Sequence, residues 1–423
     1  MATLIKNARI IDPKTRLDMC EDIYIDAHSI EVAPSRVKNS TLIMPGRGLI
    51  VAPGFIDLHV HFREPGFTYK EDISSGIKAA WAGGVTSALV MPNTNPALDE
   101  PKRIFYQHKR AEKYGFDLMV AAAATKALKG EELNDVGALK KAGAKACTDD
   151  GHVIDYSHME KLLKACRRHN MLCMQHAEDK RQSLNAPLNE GKASKRFFIS
   201  GQPSCAESAV VARDIELALR IGARYHVLHL SSAESLALVR KAKMNNGLIS
   251  AEVSPHHLLL CEEDIRGKDA SKKMNPPLRS KQDQEALLLG IMDGTIDAVA
   301  SDHAPHSRRE KAQALADAPF GVVGIETSIL ALLTLVKKKS LPLRRAVALL
   351  CEGPARIIGE EGRIGTLFGP NAKKNVCVFD PDFKQVISEK NLHGRSKNSA
   401  FIGMEMFGRV MATFQNGQLV YRA

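Results

Sequence analysis

The segment Asp57-Leu58-His59-Val60-His61 places two imidazoles two residues apart at the end of an apolar run. In an extended strand alternate side chains share a face, so His59 and His61 point the same way, with Leu58 and Val60 opposite. Two neutral imidazoles at that spacing can chelate one metal ion. A lone His-x-His is a weak signal, because two histidines at a strand rim are often only polar rim residues. Four further residues strengthen it. Asp150 stands in CTDDG, His176 in MQHAED, His229 in VLHLSS and Asp302 in VASDHAPH, each closing an apolar, strand-like run. Nitrogen and oxygen ligands converging on one rim suit one or two divalent ions, with zinc the natural match for imidazole plus carboxylate.

Bringing these residues together requires a repeating scaffold. Strand-like runs lie at 51–60, 84–92, 117–125, 144–150, 171–177, 225–231, 249–256 and 296–303. Each is followed by a helical stretch, as YKEDISSGIKAAWAGG follows the first. Continuous apolar strands alternating with helices indicate a parallel sheet covered on both faces. Such units over about 300 residues suit a closed (β/α)8 barrel of the TIM type, whose active sites lie at the carboxyl ends of the strands. An open doubly wound sheet lacks support, since no Gly-rich phosphate-binding turn follows any strand. The ends differ in texture. Residues 1–50 and 366–423 are short β-rich segments broken by Asp-Pro, Pro-Gly and Asn-Gly turns. The expected class is α/β, with the barrel at 51–365 and the two ends paired into one small β-rich side domain.

Composition narrows the function classes. The 423 residues are 44% hydrophobic and 25% charged, as in ordinary globular chains rather than disordered or fibrous ones. No apolar run approaches the ~20 residues needed to cross a bilayer, and MATLIKNARIIDPKT carries no secretory leader pattern. The eight cysteines form no CxxC pair, so reduced thiols in a cytoplasmic protein are expected. The net charge of +11 is dispersed, and its densest cluster, Lys337 to Lys339, follows an apolar helical stretch. Cations there meet a helix dipole. Without a nucleic-acid motif the charge reads as a solvated basic surface, and no nucleic-acid partner is expected.

At this point the chain resembles the amidohydrolase superfamily and, within it, the class I dihydroorotases. The resemblance rests on DLHVHFREPG at 57–66, MPNTNP at 91–96, TDDG at 148–151, QHAED at 175–179 and YHVLHLSS at 225–232. It continues through SPHHL at 254–258, MNPPLR at 274–279, ASDHAPH at 300–306, APFGVVGIET at 318–327 and SKNSAFIGMEMFGRVMATFQNG at 396–417. The resemblance implies reversible cyclisation of N-carbamoyl-L-aspartate to L-dihydroorotate by a zinc-bound hydroxide. It implies that His59 and His61 hold one zinc, His176 and His229 a second, and that Asp150 bridges them. Asp302 would be both ligand and general acid/base. Arg63, Asn93 and His306 would grip the substrate carboxylate, while Asn275 and the main chain at Phe320 and Gly321 would contact the ring. A small-molecule substrate, a homo-oligomer or a second pyrimidine-pathway enzyme are the implied partners.

Some residues carry a bland reading alongside. Arg63 is adjacent to Glu64 and can simply pair with it on the surface. Asn93 and Asn275 sit beside prolines, where Asn is an ordinary turn residue. Lys145 is the local candidate for a carboxylated bridging lysine, but its odd spacing from Asp150 turns it to the other strand face. The segment 307–319, SRREKAQALADAP, follows the last strand and can close over a substrate as a lid.

Overall fold

The computed structural model describes residues 2–37, 41–244, 247–267 and 270–423. Five strands open the chain: β1 (Thr3–Asp12), β2 (Leu17–Ile25), β3 (Ile30–Val32), β4 (Leu42–Pro45) and β5 (Ile50–Pro53). The apolar runs of the middle follow as β6 (Phe55–Val60), β7 (Val85–Val90), β8 (Asp117–Ala123) and β9 (Ala146–Thr148). They continue as β10 (Leu172–Gln175), β11 (Tyr225–Val227), β12 (Ile249–Val253) and β13 (Ala298–Val299). Last come β14 (Val376–Val386), β15 (Glu405–Gln415) and β16 (Gln418–Arg422).

Strands β6 to β13 pair in chain order and in parallel. A parallel bridge between Val60 and His303 closes the ring, with the His61 N–H donating to the His303 carbonyl at 2.9 Å. Because both faces of each strand are covered, the strands are mostly apolar. Ile56, Leu58, Leu89, Met119, Met174 and Leu228 fill the interior. Val60, Val85, Val120, Val227 and Ile249 pack outward against helix residues such as Ile77, Ile104, Leu163 and Val211. The strands are therefore held between two apolar layers, one inside the barrel and one beneath the helices. The helix Ile73–Ala82 shows how one start is set: Asp72 accepts from the Ser75 N–H at 2.7 Å, and the Ser75 hydroxyl accepts from the Asp72 N–H at 3.1 Å.

The two chain ends share a second sheet in the order β16-β15-β14-β5-β1-β2-β3, with β4 on β1. Ile5, Ile10, Ile25, Val51, Val378 and Phe414 form its core. Asn416 and Gly417 turn β15 into β16, both with positive φ (51° and 76°), the conformation that an Asn-Gly hairpin turn demands.

Three local expectations change. The run 51–60 is two strands: β5 pairs antiparallel with β14, and only β6 enters the barrel. Gly54 joins them, and a Cβ there would lie 2.2 Å from the Thr86 hydroxyl, so only glycine fits this crossing. Second, Leu58 and Val60 do not share a face. The β6–β7 register shifts between Asp57 and Val60, and Leu58 joins the interior cluster while Val60 faces the helices. Third, the last strand is regular only over Ala298–Val299, and beyond it His303 makes isolated parallel bridges to Val60 and Val322. Among the described residues no helix is long and apolar enough to cross a membrane, and the eight cysteines are free thiols.

Candidate metal centre

His59 lies within β6 and His61 just beyond it, while Asp150, His176, His229 and Asp302 follow the ends of β9, β10, β11 and β13. All are buried. His229, Asp302 and Arg63 adopt left-handed backbone, with φ of 30°, 47° and 56°. Non-glycine residues in that region carry strain of ~1–3 kcal/mol each, which surrounding structure must offset. Such strain gathers where a side chain must be aimed against the backbone's preference.

Potential ligand atoms of His59, His61 and Asp150 lie within 4.8 Å of one another, and so do those of Asp150, His176 and His229. Asp150 belongs to both groups. Its Oδ1 is 3.5 Å from His59 Nε2, 3.8 Å from His229 Nε2 and 3.9 Å from His176 Nδ1, and its Oδ2 is 3.6 Å from His61 Nε2. Asp302 Oδ1 joins the first group, 3.3 Å from His61 Nε2 and 3.6 Å from His59 Nε2.

The imidazoles are oriented from behind. His59 Nδ1 faces Glu252 Oε1 at 3.0 Å, and a carboxylate can only accept, so Nδ1 is the donor and Nε2 is the nitrogen aimed inward. His61 Nδ1 donates to Asn93 Oδ1 at 2.7 Å, while Asn93 Nδ2 donates to Asp150 Oδ2 at 3.2 Å. His176 Nε2 donates to Glu178 Oε2 at 3.0 Å, which leaves its Nδ1 facing His229 Nε2 at 2.9 Å. Outer partners that fix one ring nitrogen and free the other are what metal-ligating histidines require. His59 Nε2 is buried without a hydrogen-bond partner, an arrangement that costs free energy unless something fills it. The donor set and this orphaned nitrogen fit a divalent ion in each group.

Electrostatics agree. Burial alone would depress the His59 imidazole, but Asp150, Glu252 and Asp302 lift it well above its ordinary value. Burial would raise Asp150 and Asp302, yet the facing imidazoles hold both carboxyls well below the usual range. The cluster is thus an acidic pit that attracts positive charge.

The remaining sequence candidates border it. Arg63 Nε donates to the Pro305 carbonyl at 3.3 Å, and among the described residues it pairs with no carboxylate. Glu64 instead binds Arg110 at 2.8 Å, so the simple Arg63–Glu64 pair is absent. Burial lowers the Arg63 guanidinium to about 10, while Asp302 and Asp150 oppose the shift, so it remains a cation facing the pit. His306 Nε2 donates to the Phe320 carbonyl at 2.8 Å, and its Nδ1 accepts from Lys70 Nζ at 3.3 Å. The Gly321 N–H donates to the Lys273 carbonyl at 3.0 Å. Asn275 Nδ2 donates to Glu178 Oε2 at 2.9 Å. Asn93, Asn275 and His306 therefore all stand at the rim with protein partners already engaged. His303 turns away, with its Nε2 3.5 Å from Glu71. Lys145 pairs with Glu360 and plays no part at the rim.

Two carboxylates escaped the sequence reading, Glu252 and Glu178. Glu252 is a fully buried acid in the apolar strand ISAEV, and Glu178 lies two residues beyond His176. An acid inside an apolar run was the available signal for Glu252, and the two-residue spacing from His176 was the signal for Glu178.

Comparison with known proteins points the same way. The family model described as Dihydro-orotase-like matches residues 48–235. The dihydroorotase of Clostridioides difficile is 39% identical, covering 99% of this chain and 100% of its own. That of Solibacter usitatus is 40% identical over 99% of this chain and 98% of its own. Among solved structures, the L-hydantoinase of Arthrobacter aurescens superposes with a TM-score of 0.86 at 22% identity, over 99% of this chain and 96% of that one, a likeness of fold.

Proposed function

The chain belongs to the dihydroorotase family, and from that premise we propose that it is a cytoplasmic zinc enzyme of de novo pyrimidine biosynthesis. It interconverts N-carbamoyl-L-aspartate and L-dihydroorotate plus water. One observation carries the reading: Asp150 is shared by two ligand groups, and the unpaired cation Arg63 lies close enough to feel Asp302 and Asp150. A metal pit beside a fixed cation suits a cyclic amide that carries a carboxylate.

His59 and His61 would hold one ion, His176 and His229 the other, with Asp150 between them and Asp302 as a further ligand. Bound there, divalent zinc acidifies water at neutral pH and polarises an amide carbonyl. The protein's own residues do the rest. Arg63 offers a planar fork that grips the substrate carboxylate bidentately and fixes the ring over the pit. Asn93 and His306 border that carboxylate, and Asn275 with the main chain at Phe320 and Gly321 borders the ring. Asp302 is ionised at neutral pH and strained toward the pit. It takes the proton from the attacking water and delivers it to the leaving ring nitrogen; cyclisation runs the same transfers backwards. Hydrolysis of hydantoin-type rings would use the same ligands but leave Arg63 without a purpose.

Asp302→Asn keeps the side-chain shape but cannot accept the proton. Its kcat should fall by roughly 10²–10⁴ and lose the acidic limb of the pH profile. Retention of most turnover with that limb intact would remove Asp302 from the proton path.

A further inference from the structure

The short helix Arg308–Lys311, within the segment after β13, carries two neighbouring charges with different tasks. Glu310 accepts from Lys70 Nζ at 2.9 Å and from the Tyr69 hydroxyl at 3.2 Å. Lys70 is the same ammonium that faces His306 Nδ1. Lys311 points the other way and donates to three main-chain carbonyls, of Gly321 at 2.9 Å and of Lys273 and Pro319 at 3.1 Å each. Those carbonyls belong to two stretches distant in sequence, one leading to Asn275 and one containing Phe320 and Gly321.

The link is returned. Lys273 Nζ donates to the carbonyls of Leu315 at 2.7 Å and Ala316 at 3.0 Å, and lies 4.5 Å over the Phe320 ring. Asn398 Nδ2 adds a bond to the Gly321 carbonyl at 3.2 Å. Gly321 itself has φ +122°, and a Cβ would come within 2.7 Å of Ala304 Cβ, so no larger residue fits at this point of the wall. A carbonyl cluster around one ammonium ties its members together firmly, since each charge-assisted bond is about twice as strong as a neutral one.

We propose that Lys311 is a positioning residue that clasps 273–275 against 319–321 and so sets the wall on which the substrate ring lies. The inference rests on reading that wall as the ring contact. On this account 307–319 is a fixed clasp rather than a swinging lid. Binding, more than proton transfer, depends on it.

The test compares the metal-loaded wild type with Lys311→Met, which keeps the aliphatic stem, and Lys311→Arg, which keeps donors. In Lys311→Met the KM for L-dihydroorotate should rise about tenfold to a hundredfold, the scale of a lost charged hydrogen bond. Its kcat and metal content should hold, and Lys311→Arg should recover much of the KM. An unchanged KM, or a parallel loss of kcat and metal, overturns the proposal. Amide hydrogen exchange on the wild type gives a second reading should the methionine variant not fold. The Gly321 N–H should exchange as slowly as the barrel strands, and rapid exchange across 311–321 would overturn the clasp. Failure of the wild type to turn over dihydroorotate would strike the functional reading instead, leaving the exchange result to judge Lys311.

Discussion

The two sides of the site treat the same residue type in opposite ways. On the metal side, buried His59 faces Asp150, Glu252 and Asp302 and is held well above the ordinary imidazole value. On the substrate side, burial and then Arg63, Lys70 and Lys311 push the His306 imidazole down to about 2. Burial is common to both, so neighbouring charge decides the outcome. One wall is built to accept a cation and the other to accept an anion. A substrate that is both a metal-polarised amide and a carboxylate spans the boundary between them.

The largest effect should come from breaking the acidic side. His59→Ala removes a ligand from the rim, not from the packed core, so circular dichroism should show a folded barrel. Elemental analysis should show metal loss, and turnover should vanish. Normal metal content with normal turnover would remove His59 from the ligand set.

A smaller effect separates the ligands from what orients them. Glu252→Gln keeps a group near His59 Nδ1 but removes the charge that fixes the ring. Metal affinity, measured by competition with a chromophoric chelator, should weaken by about 10–100-fold, the usual cost of losing such a partner. An unchanged affinity would mean that the ring is held by packing alone.

The smallest effect belongs to the basic side and appears in pH. The folded protein keeps His306 neutral, whereas the unfolded chain protonates it near 6.5. Stability from this group is present above pH 6.5 and is lost as pH falls from there toward about 2. The slope is up to about 1.4 kcal/mol per pH unit. In metal-stripped protein, His306→Gln should flatten the acid limb of a denaturation series by about that amount. An identical acid limb would show that His306 is already charged in the fold.

Much of this was legible in the residues themselves. Apolar runs alternating with helical stretches indicated the barrel, and His or Asp at the end of a run indicated the rim. Strand parity was less dependable. It separated Lys145 from Asp150, but the register shift after Asp57 defeated it for Leu58, because a bulge is made by pairing partners and not by local sequence. Glu252 and Lys311 lay beyond such reading for a related reason. Each acts on a residue or carbonyl far away in the chain, Glu252 on His59 and Lys311 on Gly321, and only the closed ring brings them together.

The most direct measurement is kcat/KM for L-dihydroorotate against 5,6-dihydrouracil, the same ring without its carboxylate, on one metal-analysed preparation. The account predicts bound divalent metal and a preference for dihydroorotate on the order of 10³-fold or more, because the smaller ring leaves the half-buried Arg63 cation unanswered. Comparable turnover of the two rings, or full activity without metal, would contradict it.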